Sequence, residues 1–408
     1  MRICNSIKFV LPDGSWALIR FKGGITMDFQ LTKEQQDIKK AAREFALGEF
    51  PDVAREYDIN QTVPLEIVKK AKELGLIGLF IPEEYGGPGF GYLEYAMVLE
   101  EFWRVDPGIG QQMTSISFGA EELLLFGTEE QKRRWLPPLF EGDAIMGFAI
   151  TEPDAGSDTA SASTTAVLDG DEYVINGSKV MIGNGNVGTF LMVFCLTDPD
   201  NKSKTGRHSI IIVETDREGY QADPMHGKMG LRASDSASVY FNNVRVPREN
   251  LVGKQGNGFL QLMKFFDHSR SYVAGHGVGL AQGALDMSVR HVRSRKQFGK
   301  PLASFQATQF KIAEMAAKVE TARNTVYKSA WLLDQGKSDS MITAIAKLYA
   351  SRVAVEVVDE ALQLHGGYGY FDDYDIERFY RAAKVLEIYE GAKEVEKMVI
   401  AREILGKI

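Results

Sequence analysis

Three short stretches of this 408-residue chain combine residue types that could do chemistry. In Tyr389-Glu390-Gly391 a glutamate follows the apolar run Val385 to Ile388 and precedes a glycine. Desolvation there would raise the carboxyl pKa, which suits a base acting on a weak carbon acid. Taken alone, a surface glutamate at a helix start is the simpler reading. In Gln363-Leu-His-Gly366-Gly367-Tyr-Gly369-Tyr, the glycines permit close backbone approach to a phosphate or a ring. The stretch lacks the G-x-G-x-x-G order and follows a helical pattern, so a helix end and loop would also account for it. Phe148-Ala-Ile150-Thr151-Glu152-Pro153-Asp154-Ala-Gly156-Ser157 reads as a strand entering a turn. Such a turn can aim backbone N–H groups and a hydroxyl at a polar ligand, and an ordinary capped turn has the same composition.

The elements that must position these stretches follow from periodicity. Thr32 and Gln35 form a capping box, and Ile38, Ala41, Ala42, Phe45 and Ala46 continue it as a helical stripe. Helical pattern runs to about residue 140, broken at Pro51, Pro64, Pro82 and Gly86-Gly87-Pro88. From 148 to about 250 the period becomes that of strands: Leu191 to Leu196, Ile210 to Val213 and Val239 to Phe241. Asp169-Gly170 and Asn176-Gly177 read as hairpin turns. Helical period then returns, with Met315, Val319, Ala322, Val326, Ala330 and Leu333 as one stripe ended by Gly336. The order α, β, α predicts an N-terminal helical domain over 27–147, a middle β domain over 148–252 and a C-terminal helical domain over 253–408. Residues 1–26 read as an extension outside the fold. Lys22-Gly23-Gly24-Ile25 is what a purine-rich ribosome-binding site would encode if translated, and the pattern restarts at Met27.

Composition narrows the function classes. A net charge of −8 without a basic face argues against nucleic acid as the main ligand. Two cysteines, Cys4 and Cys195, and scattered histidines offer neither a disulfide framework nor metal-ligand spacing, and Cys195 reads as core. No apolar run approaches the ~20 residues of a membrane span. A reducing cytoplasmic setting, in a bacterium, is expected.

Together, in their order along the chain and at their spacing, the three stretches resemble the signature of the acyl-CoA dehydrogenase family. Further blocks agree: Met229-Gly230-Leu-Arg232, Asp267-His-Ser-Arg270, Arg293-Ser-Arg295-Lys-Gln-Phe298-Gly299 and Ala401-Arg-Glu-Ile-Leu. The resemblance covers 27–408 and implies that family's fold: a central β domain between an α-helical N-terminal domain and a C-terminal helical bundle. It also implies FAD as cofactor. By resemblance Glu390 removes the α-proton of a CoA thioester, and its backbone N–H helps hold the thioester carbonyl, while the β-hydrogen leaves as hydride to flavin N5. Phe148, Ile150, Thr151 and Ser157 then line the flavin and thioester, with Met181, Gly183, Ala392 and Glu394 at the flavin. Arg295, Phe298, Gln306, Gln363, Gly366 and Gly367 match contacts to the FAD diphosphate and adenosine, which a neighbouring subunit receives in family tetramers. The acyl-CoA falls to Gln112, Thr114, Ser117 and Ser157, with Asp267, Arg270, Tyr389 and Gly391. An electron-transferring flavoprotein or similar acceptor and a homotetramer follow from the same likeness.

Two departures stand out against that pattern. Where members carry Trp-Ile-Thr or Trp-Ile-Ser beside the flavin, this chain has Met181-Ile182-Gly183, losing an indole and a hydroxyl. After the Tyr-Glu-Gly, Ala392-Lys393-Glu394 replaces the usual Thr and Gln. The acyl region, 108–126, has no Arg or Lys, which disfavours a dicarboxylyl substrate. Met-Ile-Gly and Gln111-Gln112-Met113 suggest an alicyclic substrate, cyclohexanecarboxyl-CoA or cyclohex-1-ene-1-carboxyl-CoA. No Asp or Glu lies between Gly108 and Ala120, and Glu121 and Glu122 fall on the helical run beyond, so 1,2-desaturation is expected over 1,4-elimination. The position of the family's alternative base carries Ser269. An acyl-CoA oxidase on the same fold is the nearest rival, and a non-enzymatic DNA- or partner-binding member is the rival of another class.

Overall fold

The computed structural model describes residues 6–10 and 16–20 by backbone alone, and residues 30–406. The chain divides into two compact units, 1–37 and 38–408. In the first, β1 (Ser6–Val10) pairs antiparallel with β2 (Trp16–Arg20), both within the segment read as an extension. Lys22 to Ile25 and Met27 lie outside the described residues. The capping box forms: Gln35 N–H donates to Thr32 Oγ1 at 3.2 Å and Thr32 N–H to Gln35 Oε1 at 3.0 Å.

Helix α1 (Lys33–Glu49) opens a helical region that continues through α2 (Pro51–Asn60), α3 (Leu65–Glu73), α4 (Tyr92–Val105), α5 (Pro107–Ser115), α6 (Ala120–Phe126), α7 (Glu129–Trp135) and α8 (Pro137–Phe140). Ala42 and Ala46 of the expected stripe are buried, and the prolines at 51 and 107 sit in first helical turns, where the missing N–H costs nothing. Helix α4 is buried almost all round, from Leu93 to Trp103, and is the centre of this region.

An eight-stranded sheet follows: β3 (Met146–Ala149), β4 (Thr165–Asp169), β5 (Glu172–Ile182), β6 (Phe190–Leu196), β7 (His208–Glu214), β8 (Tyr220–Pro224), β9 (Ala237–Pro247) and β10 (Leu251–Val252). Their order is β10-β7-β6-β4-β5-β9-β8, with β3 parallel to β6. Val193, Cys195, Ile211, Val213, Val239 and Phe241 fill its core, each buried aliphatic or aromatic side chain contributing about 1.5–3 kcal/mol. Asp169-Gly170 turns β4 into β5, with Gly170 at φ +63°. Asn176-Gly177 does not turn the chain. It lies inside β5, where the register against β9 shifts, and a Cβ on Gly177 would come within 2.6 Å of Thr164 Oγ1. Glycine is needed there for a bulge and a close approach.

Helix α9 (Gly258–Ser294), 37 residues long, begins the C-terminal region. After the short pair β11 (Lys296–Gln297) and β12 (Lys300–Pro301) come α10 (Gln306–Asp334), α11 (Ser340–His365), α12 (Ile376–Ala383) and α13 (Lys393–Leu405). The predicted α10 stripe is buried at all six positions, and Gly336 (φ +67°) follows as the helix stop. Helix α9 lies directly on α4. A Cβ on Gly275, Gly279 or Gly283 would approach the carbonyl oxygens of Ala96, Glu100 and Arg104 at 2.9, 2.3 and 2.3 Å. The spacing is four on both helices, so two backbones touch along two turns. Mid-helix glycine is unfavourable by about 1 kcal/mol each, offset here by the contact it permits.

Candidate active site

One face of α9 assembles the site. Phe265, Ser269, Tyr272 and His276 are spaced 4, 3 and 4 apart and so share a helix stripe. Phe265 packs edge-on against Phe118 and Phe148 (5.2 and 5.0 Å between centroids). Ser269 donates to Glu390 Oε2 at 2.5 Å. Tyr272 stacks on Phe80 and meets the tilted ring of Tyr95 at 4.8 Å between centroids.

Glu390 follows the tight turn Lys384–Glu387 and adopts a left-handed conformation, φ +56°, with Gly391 at +102°. An L-residue there costs roughly 1–2 kcal/mol, so the surroundings must hold it. Arg270 Nε donates to the Glu390 carbonyl at 2.8 Å and pairs with Glu396 at 3.2 Å. Lys347 donates to the Gly391 carbonyl at 2.5 Å. Burial raises the Glu390 carboxyl above its usual range, and Ser269, Arg270 and Lys347 pull it back. Burial also lowers Lys347 to about 8 and raises Glu396 to about 7.

Next to Glu390, Tyr389 and Thr114 both bond to the buried His276: Tyr389 Oη to Nδ1 at 2.7 Å, Thr114 Oγ1 to Nε2 at 3.0 Å. Gln112 is fully enclosed and spent as a brace, donating to Asn184 Oδ1 (2.9 Å) and accepting from Asp235 N–H (3.0 Å). Ser117 is buried near Tyr95. Asp267 accepts from Ser340 at 2.8 Å. Sequence spacing had left Glu121 on the helix beyond the pocket. The turn at Gly119 (φ +104°) instead folds α6 back onto α9, and Glu121 has no exposed surface. Its pKa rises to about 7, chiefly from burial and in part from the Glu390 charge, while the facing Tyr272 hydroxyl offsets some of the rise. A second carboxyl therefore does stand at this site.

The sheet contributes a different wall. Thr151 C=O accepts from Val180 N–H at 2.9 Å, and Lys179, itself buried, donates to the Ile150 carbonyl (3.0 Å) and to Glu152 (2.8 Å). Glu152 also accepts from Ser163 and Thr164 N–H. Burial would raise Glu152, but Lys179 and these bonds hold it at about 2. Ser157 is exposed on the following loop. Met181 is 63% exposed at φ +59°, and a Cβ on Gly183 would find its nearest atom, Ser115 Oγ, 4.0 Å away. This open, partly apolar wall fits a flat ring system such as an isoalloxazine. Ala392 caps α13 beside the base loop, and Glu394 is exposed in its first turn.

A third group lies apart. Arg295, Gly366 and Gly367 line a cleft of roughly 500 Å³ with His291, His365 and Tyr374. Arg295 sits over the Tyr368 ring at 5.1 Å, and Phe298 is 91% exposed on the β11–β12 turn. Gln306 and Gln363 are exposed at the start of α10 and the end of α11. No lining residue of this cleft belongs to the base loop or the sheet wall. The structure thus brings Glu390, Arg270, Tyr389, Gly391 and Thr114 together, joins Phe148 to that face through Phe265, gathers Ile150, Thr151, Met181 and Gly183 on the sheet wall, and leaves the Arg295 group on its own.

Sequence reasoning missed Tyr272, His276 and Lys347, set Ser269 aside and placed Glu121 beyond the pocket. The first two carried a signal, the 4-3-4 spacing with Phe265 and Ser269. Lys347 and Glu121 carried none, because long-range packing alone brings them in.

Family models for the N-terminal, middle and C-terminal domains of acyl-CoA dehydrogenases match residues 32–143, 147–244 and 256–405. The acryloyl-CoA reductase (NADH) of Anaerotignum propionicum is 44% identical over 93% of this chain and 97% of its own. A short-chain-specific acyl-CoA dehydrogenase of Clostridium acetobutylicum is 41% identical, over 93% of this chain and all of its own. The butyryl-CoA dehydrogenase structure from Megasphaera elsdenii superposes with a TM-score of 0.90 at 37% identity, covering 93% of this chain and 100% of that one.

Proposed function

The chain belongs to the acyl-CoA dehydrogenase family of FAD-dependent oxidoreductases, and on that premise we propose that it desaturates a compact, uncharged acyl-CoA between its α and β carbons with Glu390 as the base. The observation that carries this is the Glu390 carboxyl, raised by burial, held by Ser269 and presented from a clamped left-handed backbone.

Glu390 takes the α-proton. Its backbone N–H polarises the thioester carbonyl, lowering the barrier to the enolate-like transition state. Arg270 and Lys347 fix the two carbonyls of the loop, so the N–H and carboxylate keep their mutual orientation. Phe148, Phe118 and Phe265 exclude water from the reacting carbons. The Ile150–Thr151 segment and the Met181–Gly183 wall would hold FAD, which would supply the two-electron acceptor for the β-hydrogen. Arg295, Gln363 and Gly367 would meet the FAD diphosphate and adenosine of a neighbouring copy in a homotetramer. The separate cleft supports this, and light scattering of the FAD-loaded protein should give four copies. An electron-transferring flavoprotein is the proposed acceptor.

The acyl site offers carboxyls and no free cation among residues 108–126, which disfavours a substrate with a distal carboxylate. Similarity to short-chain and acryloyl-CoA enzymes favours a small acyl group over the alicyclic one suggested by sequence. Anaerobic bleaching of the flavin by butyryl-, cyclohexanecarboxyl-, cyclohex-1-enecarboxyl- and glutaryl-CoA decides among these. Fastest bleaching by butyryl-CoA is expected. A clear preference for the cyclohexene thioester with a diene product would overturn 1,2-desaturation and give Glu121 a direct part. The open wall at Met181 also favours a second reading, acyl-CoA oxidase, which rapid oxygen consumption by the reduced enzyme would reveal.

A further inference from the structure

His276 is a buried histidine on the site face of α9. Its ring stacks on Trp103, 4.3 Å between centroids and 10° from parallel. The neighbouring glycines leave it no slack: Cβ atoms on Gly275 and Gly277 would approach Ala96 O at 2.9 Å and Ala350 O at 2.6 Å, so α9 is packed tightly on both sides.

Both ring nitrogens are hydrogen-bonded. With the Thr114 hydroxyl donating to the Gly110 carbonyl at 3.1 Å, Thr114 Oγ1 accepts from His276 Nε2–H and Nδ1 accepts from the Tyr389 hydroxyl. Burial lowers the imidazole pKa to about 3, so this arrangement holds throughout the working pH range.

Tyr389 is joined by one peptide bond to Glu390, and that peptide carries the N–H facing the thioester. The far side of the loop is held by Arg270 and Lys347. On the near side the Tyr389 side chain is hooked to α5 and α9 through His276. We propose that His276 is a positioning residue for the base: by holding Tyr389 it fixes the Glu390 N–H and the strained backbone that presents the carboxylate. This rests on the reading of Glu390 as the base. Without the hook the strained residue can relax toward negative φ, moving the carboxylate away from Ser269.

The experiment is a double-mutant cycle on the rate of anaerobic flavin reduction by the best thioester of the panel. His276→Phe keeps the ring and the stack but removes both hydrogen bonds, and Tyr389→Phe removes one of them from the other end. Each should slow reduction by about 10–100-fold, as a misplaced reacting group does, with thioester affinity changed less than about threefold. The double variant should be no slower than the slower single one, and His276→Gln, which can donate to Thr114 and accept from Tyr389, should recover most of the loss. If His276→Phe fails to retain FAD, the pair Thr114→Val and Tyr389→Phe measures the same coupling. Reduction at the wild-type rate, multiplicative losses, or a loss confined to affinity would overturn the proposal. Failure of the wild-type flavin to bleach, or normal bleaching by Glu390→Gln, would instead overturn the reading of the base.

Discussion

Met181 and Glu390 share an unusual backbone, φ +59° and +56°, yet they stand in opposite surroundings. Met181, on the sheet wall, is largely exposed, and its N–H meets only a soft acceptor, Met225 Sδ at 3.4 Å. Glu390, on the helical side, is tied by Ser269 and Arg270, with Lys347 on the next carbonyl and His276 on the preceding side chain. If Glu390 is the base and the sheet wall meets the flavin, as proposed, the wall presents backbone to its ligand and side-chain identity there can drift, whereas at Glu390 the side chain itself acts and its neighbours are locked to it. The Met-Ile-Gly departure and the intact Tyr-Glu-Gly are what this difference leads one to expect.

The largest effect should come from Glu390→Gln, which keeps the shape and removes the base. Flavin reduction should fall by about 10²–10⁴ while FAD and thioester still bind. Near-normal bleaching would place the base elsewhere and erase the contrast between the walls. Gly391→Ala should come next. Its φ of +102° and a Cβ placed 2.4 Å from Glu396 Oε1 and 2.8 Å from Arg270 Nη2 leave no room for a methyl group. A loss of about 2–4 kcal/mol is expected in denaturant unfolding; an unchanged midpoint would show that the clamp yields.

Glu121→Gln should act through pH. Burial raises the folded pKa to about 7 from the ordinary value of 4.5. Between those values the unfolded chain has released the proton and the folded chain retains it, so stability falls as pH rises through the window. The amide removes that fall, which is worth up to about 3 kcal/mol above pH 7 and nothing below 4.5. The Glu390 charge contributes to holding the Glu121 proton. Stability–pH profiles of the variant and the wild type that superpose would overturn this account. Smallest of all should be Met181→Trp with Gly183→Thr. The open space at both positions accepts the larger groups, and substrate reduction should change less than about tenfold while reoxidation by the acceptor changes more. Abolished reduction with FAD still bound would put these residues on the acyl side.

Much of this was legible before folding because some chemistry demands residue type and spacing together. The box at Thr32, the turn at Asp169-Gly170 and the α10 stripe each satisfy a local rule. Asn176-Gly177 met the same turn rule, yet the strand ran on, because pairing with β9 outweighed the dipeptide. Glu121 was misplaced for another reason. Distance along the chain was taken for distance from the site, and the reversal at Gly119 broke that link. His276 could be read only once α5, α9 and the Glu390 loop had met.

The left-handed backbone at Glu390 carries a consequence for handedness. Glycine takes that conformation freely but has no carboxylate, and every encoded acid is of the hand that resists it. A D-glutamate introduced there by chemical ligation would sit without strain, its mirror-image preference matching φ +56°. Its carboxyl, however, would leave the α-carbon in the opposite direction, away from Ser269. The same centre that strains the loop also aims the base, and no single stereoisomer can relieve the one while keeping the other.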